Sequence, residues 1–152
     1  MAKVVESTEI SRRPEDVFSY AADPAHHPEW IGSVVSAHQE DDGPLAAGST
    51  VLVTRRAGPW KVRYTEHMDE LHPPRTWANH SAGGIPVTAF ATGTVEPLGD
   101  GTRSRVTISC EFHGRGIGKL LAPLLSRRLA KLLPKDEQKL KELLERGMHA
   151  QE

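Results

Sequence analysis

The sequence predicts an α+β fold: one antiparallel sheet of about seven strands, two short helices after the first strand, and a long C-terminal helix. Three observations carry that expectation. Alternating apolar and polar residues recur from Ser33 to His113 in segments broken by Gly-, Pro- and Asp-containing turns. Turns this short join antiparallel neighbours, because a parallel crossover needs about a dozen residues or more. After Gly116 the apolar spacing changes from two to that of a helix and holds to about Arg146.

Val4 to Ile10 alternates and opens the sheet. Pro14 then suits a first helical position, since its φ is already helical and its missing N–H would be unpaired there anyway. Glu15 and Asp16 sit in the first turn, where the positive helix end favours acids. Val17, Phe18 and Ala21 supply an apolar face, and Asp23-Pro24 ends that helix and starts another. Ser33 to Gln39 and Ser49 to Arg55 read as strands around a polar loop, and Ala57-Gly58-Pro59 is a turn. The clearest alternation is Trp60 to Glu70: Trp60, Val62, Tyr64, Glu66 and Met68 share one side. His72-Pro73-Pro74 ends it, because proline cannot donate to a ladder. Arg75 to Ser81, Val87 to Glu96 and Thr102 to His113 complete the strands, the last two joined through the tight-turn signal Asp100-Gly101.

The closing segment carries a broad leucine stripe that includes Leu120, Leu121, Leu124, Leu125, Leu129 and Leu133. Pro123 and Pro134 interrupt it eleven residues apart. At about 100° per residue they point the same way within roughly 20°, opposite the leucines. On a solvent face water satisfies the carbonyls that prolines free, so a long helix bent convex to solvent is expected. Gly147 is read as its stop. The domain expectation is therefore one unit, 1–147, with a short tail at 148–152.

The stretch T-E-I-S-R-R-P-E-D-V-F-S-Y-A-A-D-P-A-H-H-P-E-W from Thr8 to Trp30, followed by hairpins and a long helix, resembles the START-like superfamily of helix-grip (SRPBCC) proteins. It is similar in particular to the polyketide cyclase/dehydrase and lipid-transport branch, and the resemblance covers nearly the whole chain. It implies a curved sheet wrapped around the C-terminal helix, with an apolar ligand cavity between them. Aromatic-polyketide cyclases of this superfamily generally carry an inward arginine on a central strand. In this chain the corresponding phase offers Glu66.

Composition bounds the setting. The formal charge is −1, from 19 basic and 20 acidic residues, so no overall field recruits nucleic acid or an anionic membrane. A single cysteine, Cys110, excludes an internal disulfide framework and fits a reducing, cytoplasmic setting. The N-terminal residues lack a signal's apolar core, and Ser11-Arg12-Arg13 is followed by Pro-Glu-Asp rather than the apolar run of a twin-arginine signal. No apolar run is long enough to span a bilayer as a helix. No phosphate loop, nucleophile elbow or H-E-x-x-H appears, so no cofactor or metal is expected.

The expected cavity wall is the inward face of the sheet plus the leucine stripe. Val106, Ile108, Cys110 and Phe112 share a phase on the last strand; Val87, Ala89, Ala91, Gly93 and Val95 share one on the strand before. Small residues there leave room, and a filled core from Trp60, Trp77 or a helix leucine is the alternative. Glu66 breaks the pattern, because an ionised carboxylate among apolar side chains is costly unless compensated. It is a candidate general acid or base, or a polar anchor; a salt bridge or a bulge that turns it outward is the plain alternative. Tyr64 is a second candidate proton donor, and Asn79 a partner for a ligand carbonyl. The predicted ligand contacts are thus Trp60, Tyr64, Glu66, Trp77, Asn79, Ala89, Ala91, Ile108, Phe112, Leu121 and Leu125.

His26, His27 and Glu29 have metal-ligand chemistry, but Pro28 intervenes and no third ligand is placed by spacing. The other histidines, among them His113 near the expected rim and His149, lack ligand spacing. Cys110 is apolar-flanked and reads as inert. Arg127, Arg128 and Lys131 form a basic edge beside the leucines, suited to an anionic headgroup, an acidic partner, or solvent alone. Three functions follow: binding a small, largely apolar molecule as carrier, sensor or cyclase-like protein; catalysing polyketide-type cyclisation or dehydration; or, with a filled cavity, meeting a protein partner. The sequence does not specify the oligomeric state.

Overall fold

The computed structural model describes residues 2–150. Its elements follow the predicted order: β1 (Ala2–Ile10), α1 (Pro14–Ala21), a 3₁₀ turn (Pro24–His26) running into α2 (His27–Trp30), β2 (Val34–Gln39), β3 (Thr50–Ala57), β4 (Trp60–His72), β5 (Thr76–Ala82), β6 (Val87–Leu98), β7 (Arg103–Gly114) and α3 (Gly118–Ala150). The seven strands form one antiparallel, curved sheet in the order β1-β7-β6-β5-β4-β3-β2. β1 returns to pair with β7, so the two helices after it cross one end and the remaining strands run as successive hairpins. This is the α+β helix-grip fold.

α1 begins at Pro14 and buries Pro14, Val17, Phe18 and Ala21, as its spacing predicts. The following 3₁₀ turn is started by Asp23, whose side chain accepts from the Ala25 N–H. α3 packs chiefly on β1 and β7. Pro123 and Pro134 both lie on its exposed side, as their phase requires. Two expectations for α3 fail. Leu120 and Leu124 are 73% and 57% exposed rather than packed on the sheet. The helix also runs through Gly147 to Ala150. Glycine permits a stop without imposing one, and Met148 and Ala150 are helix formers. Residues 151–152 and the side chain of His149 lie outside what is described.

The core is split. One cluster joins α1, Trp30, Met68, Trp77, Val95 and the C-terminal half of α3. A second unites Val34 and Ala37 of β2 with Val51 and Val53 of β3. A third gathers Val87, Cys110 and Phe112 under Ala122 of α3. Packing that is divided among three clusters leaves space where they meet. No helix among the described residues is long and apolar enough to cross a membrane.

Candidate functional site

A cavity of about 270 Å³ occupies that space, near the lower end of the roughly 300–1,000 Å³ range of small-molecule sites. Ala89 and Ala91 of β6, Ile108 and Phe112 of β7, and Leu125 and Leu129 of α3 supply apolar walls. Trp77 closes one end, lying so tightly across Gly93 that a Cβ there would sit 2.1 Å from its ring. Asn79 and Ser81 of β5 reach the wall from the next strand, and Ser81 Oγ accepts from the Ala89 N–H at 2.9 Å.

Polar groups converge at the β3–β4 side. Val51, Val53 and Arg55 alternate on β3, and that phase carries Arg55 onto the cavity wall. Its Nε donates to Tyr64 Oη at 2.9 Å and its Nη1 to Ser33 Oγ at 2.7 Å. Tyr64 in turn donates to Glu66 Oε1 at 3.5 Å. Arg55 pairs with Val62 in the ladder, so Tyr64 is its diagonal neighbour, within reach of a long side chain. Burial opposes the Arg55 charge, but Tyr64, Glu66 and Asp136 outweigh it and hold its pKa above the ordinary value. Burial raises the Tyr64 pKa, Arg55 opposes the rise, and Glu66 adds to it, so the phenol keeps its proton. The cation that an inward Glu66 needs is thus present, two bonds away through a shared tyrosine.

Two further groups face this cluster. Asp136 of α3 lines the cavity and accepts from the Gly32 N–H at 3.1 Å. Its pKa is raised by burial, against the Gly32 bond and Arg55. His27 turns inward, and its Nε2 donates to the Ala21 carbonyl at 3.0 Å. Burial lowers its pKa, partly offset by Glu66, so the ring is neutral. Its neighbour His26 turns the other way, stacks on Tyr20 and bonds to Glu29. The adjacent histidines therefore diverge, and no group of three or more metal-ligating side chains is assembled among the described residues. Cys110 lies on the wall with its thiol pushed up to about 12, chiefly by burial.

Of the residues named from sequence, Tyr64, Glu66, Trp77, Asn79, Ala89, Ala91, Ile108, Phe112 and Leu125 come together on this one cavity. Two do not. Trp60 shares the inward phase but sits at the β3–β4 turn beyond the sheet's cover, 73% exposed. Leu121 packs one turn before Leu125 on the Val87–Phe112 cluster, beside the wall rather than on it. Sequence reading missed Arg55 and Asp136, and weighed His27 only as a metal ligand beside His26 and Glu29. The signal for Arg55 was its phase with two valines, and that for Asp136 its helical spacing from Leu125, Leu129 and Leu132.

Comparisons with known proteins agree with this architecture. A sequence model of the family described as polyketide cyclase / dehydrase and lipid transport matches residues 1–145. The Zhui aromatase/cyclase from Streptomyces sp. R1128 superposes with a TM-score of 0.80 at 14% identity, covering 95% of this chain and 93% of that one. The di-domain aromatase/cyclase BexL, from the BE-7585A biosynthetic pathway, gives 0.74 at 16% identity over 93% of this chain. This chain spans 46% of its length. Ara h 8.0201 gives 0.70 at 14% identity, covering 93% of this chain and 96% of that one. At these identities the structural likeness concerns the fold. A search of curated proteins by sequence finds no match.

Proposed function

The chain belongs to the polyketide cyclase/dehydrase and lipid-transport family, and from that footing we propose that it binds a small, largely apolar molecule with one oxygen-bearing end. One observation carries the reading: an apolar cavity whose polar groups are gathered on one side, in the series Ser33–Arg55–Tyr64–Glu66. The apolar walls take up the body of the ligand by the hydrophobic effect. Arg55 has five N–H groups and spends two on Tyr64 and Ser33, so it retains donors for a ligand carbonyl, enolate or carboxylate. Asn79 offers an amide on the same cavity. Residues 1–147 act in this reading as one ligand-binding unit.

A second reading, catalysis of cyclisation or dehydration, is favoured by the Tyr64–Glu66 contact. A protonated phenol beside a carboxylate can give a proton to one atom of a ligand while the carboxylate takes one from another. This chain carries its inward arginine, Arg55, on β3 beside the edge strand β2 rather than on a central strand, so it supports this reading by its charge and not by its position. The two readings differ in what Glu66 does, not in where the ligand sits.

Mass spectrometry of an organic extract of the purified protein identifies what co-purifies. Titration with naphthalene, naphthol and naphthoic acid then tests the polar end. Oxygen-bearing rings are expected to bind at least about tenfold tighter than naphthalene, a difference of 1.4 kcal/mol, and Arg55→Leu to remove that preference. Equal affinity for all three would contradict an anchoring role. Under catalysis, Glu66→Gln lowers turnover while affinity survives; under anchoring, affinity itself falls.

A further inference from the structure

The apolar residues that α3 leaves in water are not scattered. The cavity wall includes five exposed residues, Arg56 and Ala57 at the β3–β4 turn, Gly83 and Ile85 in the β5–β6 loop, and Arg128 on α3, and these mark its mouth. Trp60, 73% exposed, lies directly across the turn from Ala57. Ile117 and Leu120 start α3, where Arg115 N–H donates to the Pro86 carbonyl at 3.0 Å, beside Ile85. Gly118 approaches Pro86 so closely that a Cβ would lie 1.8 Å from its oxygen. Leu124 is one turn before Arg128. Among the described residues, five of the eight exposed large apolar side chains, Trp60, Ile85, Ile117, Leu120 and Leu124, therefore edge the mouth. The other three, Val5, Leu52 and Phe90, lie on the outer face of the sheet.

Charge is segregated at the same place. From Phe112 to Lys135 the chain has six basic residues and no acidic one; from Thr50 to Thr65 it has, besides the inward Arg55, three and none. The near-zero net charge hides this, because the acids are elsewhere. On α3, Leu120, Leu124, Arg127 and Lys131 fall within about 60° of one another around the helix. Those cations, with Lys119, Arg128 and Lys135, are exposed and make no ion pair among the described residues.

We infer that this rim is a docking surface for an anionic lipid bilayer, which the protein meets mouth-first. Exposed Trp, Leu and Ile ringed by Lys and Arg is the composition that settles at a headgroup boundary, with cations on the phosphates and apolar tips below them. An acidic protein surface would answer the cations alone; the apolar tips call for a phase that takes them up. Docked so, the mouth faces the acyl region, and an apolar molecule passes into the cavity without crossing water. Docking itself does not depend on the cavity being a ligand site.

Flotation of the empty protein with vesicles of phosphatidylcholine containing about one-third phosphatidylserine tests this. Binding is expected at low salt, weaker by at least about tenfold on pure phosphatidylcholine or in 0.5 M salt. Leu120→Ser with Leu124→Ser, and separately Arg127→Glu with Lys131→Glu, should each weaken it by at least about tenfold with melting temperature unchanged. Phe90→Ser, on the outer face, should leave it intact. No binding to anionic vesicles, or equal loss with Phe90→Ser, would overturn the inference. So would self-association, or retention on immobilised polyglutamate, by a protein that ignores vesicles. A failure here leaves the ligand reading standing, and an empty cavity leaves the docking result standing.

Discussion

The two halves of α3 both carry leucines at helical spacing, and those leucines have opposite fates. In the C-terminal half, Leu140 and Leu144 are buried with α1, Trp30 and Trp77. In the N-terminal half, Leu120 and Leu124 stand in water, while Leu125 and Leu129 line a cavity. Leucine spacing alone predicts one uninterrupted stripe. The difference lies in what the helix faces: Leu140 and Leu144 meet the core that includes α1, whereas Ala122 and Leu125 meet Val87, Cys110 and Phe112 beside the cavity, and Leu120 and Leu124 face away from it. Burial of a helical face is decided by the opposing surface, so the same leucine spacing gives core at one end of α3 and, toward the other, a cavity wall and an exposed edge.

The largest effect that can break this comparison is at Leu140, which is 0% exposed. Leu140→Ala should cost about 2–5 kcal/mol in urea unfolding. A near-neutral result would show that the C-terminal half does not hold the fold.

Glu137 gives the next effect, and it depends on pH. The residue is 1% exposed and neither carboxyl oxygen has a hydrogen-bond partner. Burial first, then Glu6 of β1 and the adjacent Asp136, push its pKa from the usual 4.5 to about 8. Its proton is held more tightly in the folded state, so the favourable contribution is complete below about pH 4.5 and is lost as pH rises through about 8. Stability should decline by up to a few kcal/mol across that window, and Glu137→Gln should flatten the decline. A parent protein whose stability is level from pH 5 to 8 would refute the assignment.

Gly93 sharpens the boundary between the halves, because Trp77 lies across it. Gly93→Ala should displace the indole and cost about 1–3 kcal/mol by thermal unfolding. The smallest effect belongs to Leu120→Ala and Leu124→Ala, each expected within about 0.5 kcal/mol of the parent. A larger loss at either position would mean that the rim is part of the core.

Much of this was legible before any coordinates. Period-two runs and turn residues locate all seven strands within a few positions, because alternation is imposed by a sheet with one buried face. The phase of β4 carries Tyr64 and Glu66 inward, and the small residues of β6 mark the wall. What sequence did not reveal depends on contacts between distant elements. The phase of β3 turns Arg55 inward, but its bond to Tyr64 exists because β3 lies beside β4 with Tyr64 on the diagonal. His27 and His26 part because a one-turn helix follows a 3₁₀ turn, and a difference of one residue decides inside from outside. Trp60 shows the converse limit, since its phase is inward but, as the first residue of β4 at the turn, it is left exposed.

The cavity between the sheet and α3 is tested most directly by Ala91→Leu, with probe affinity and melting temperature measured on the same samples. Ala91 lines open space, so the larger side chain should lower naphthol affinity by at least about tenfold while the melting temperature moves by no more than a few degrees. Severe destabilisation by Ala91→Leu, in a parent that takes up no probe, would mean that the space is filled core and would contradict the account.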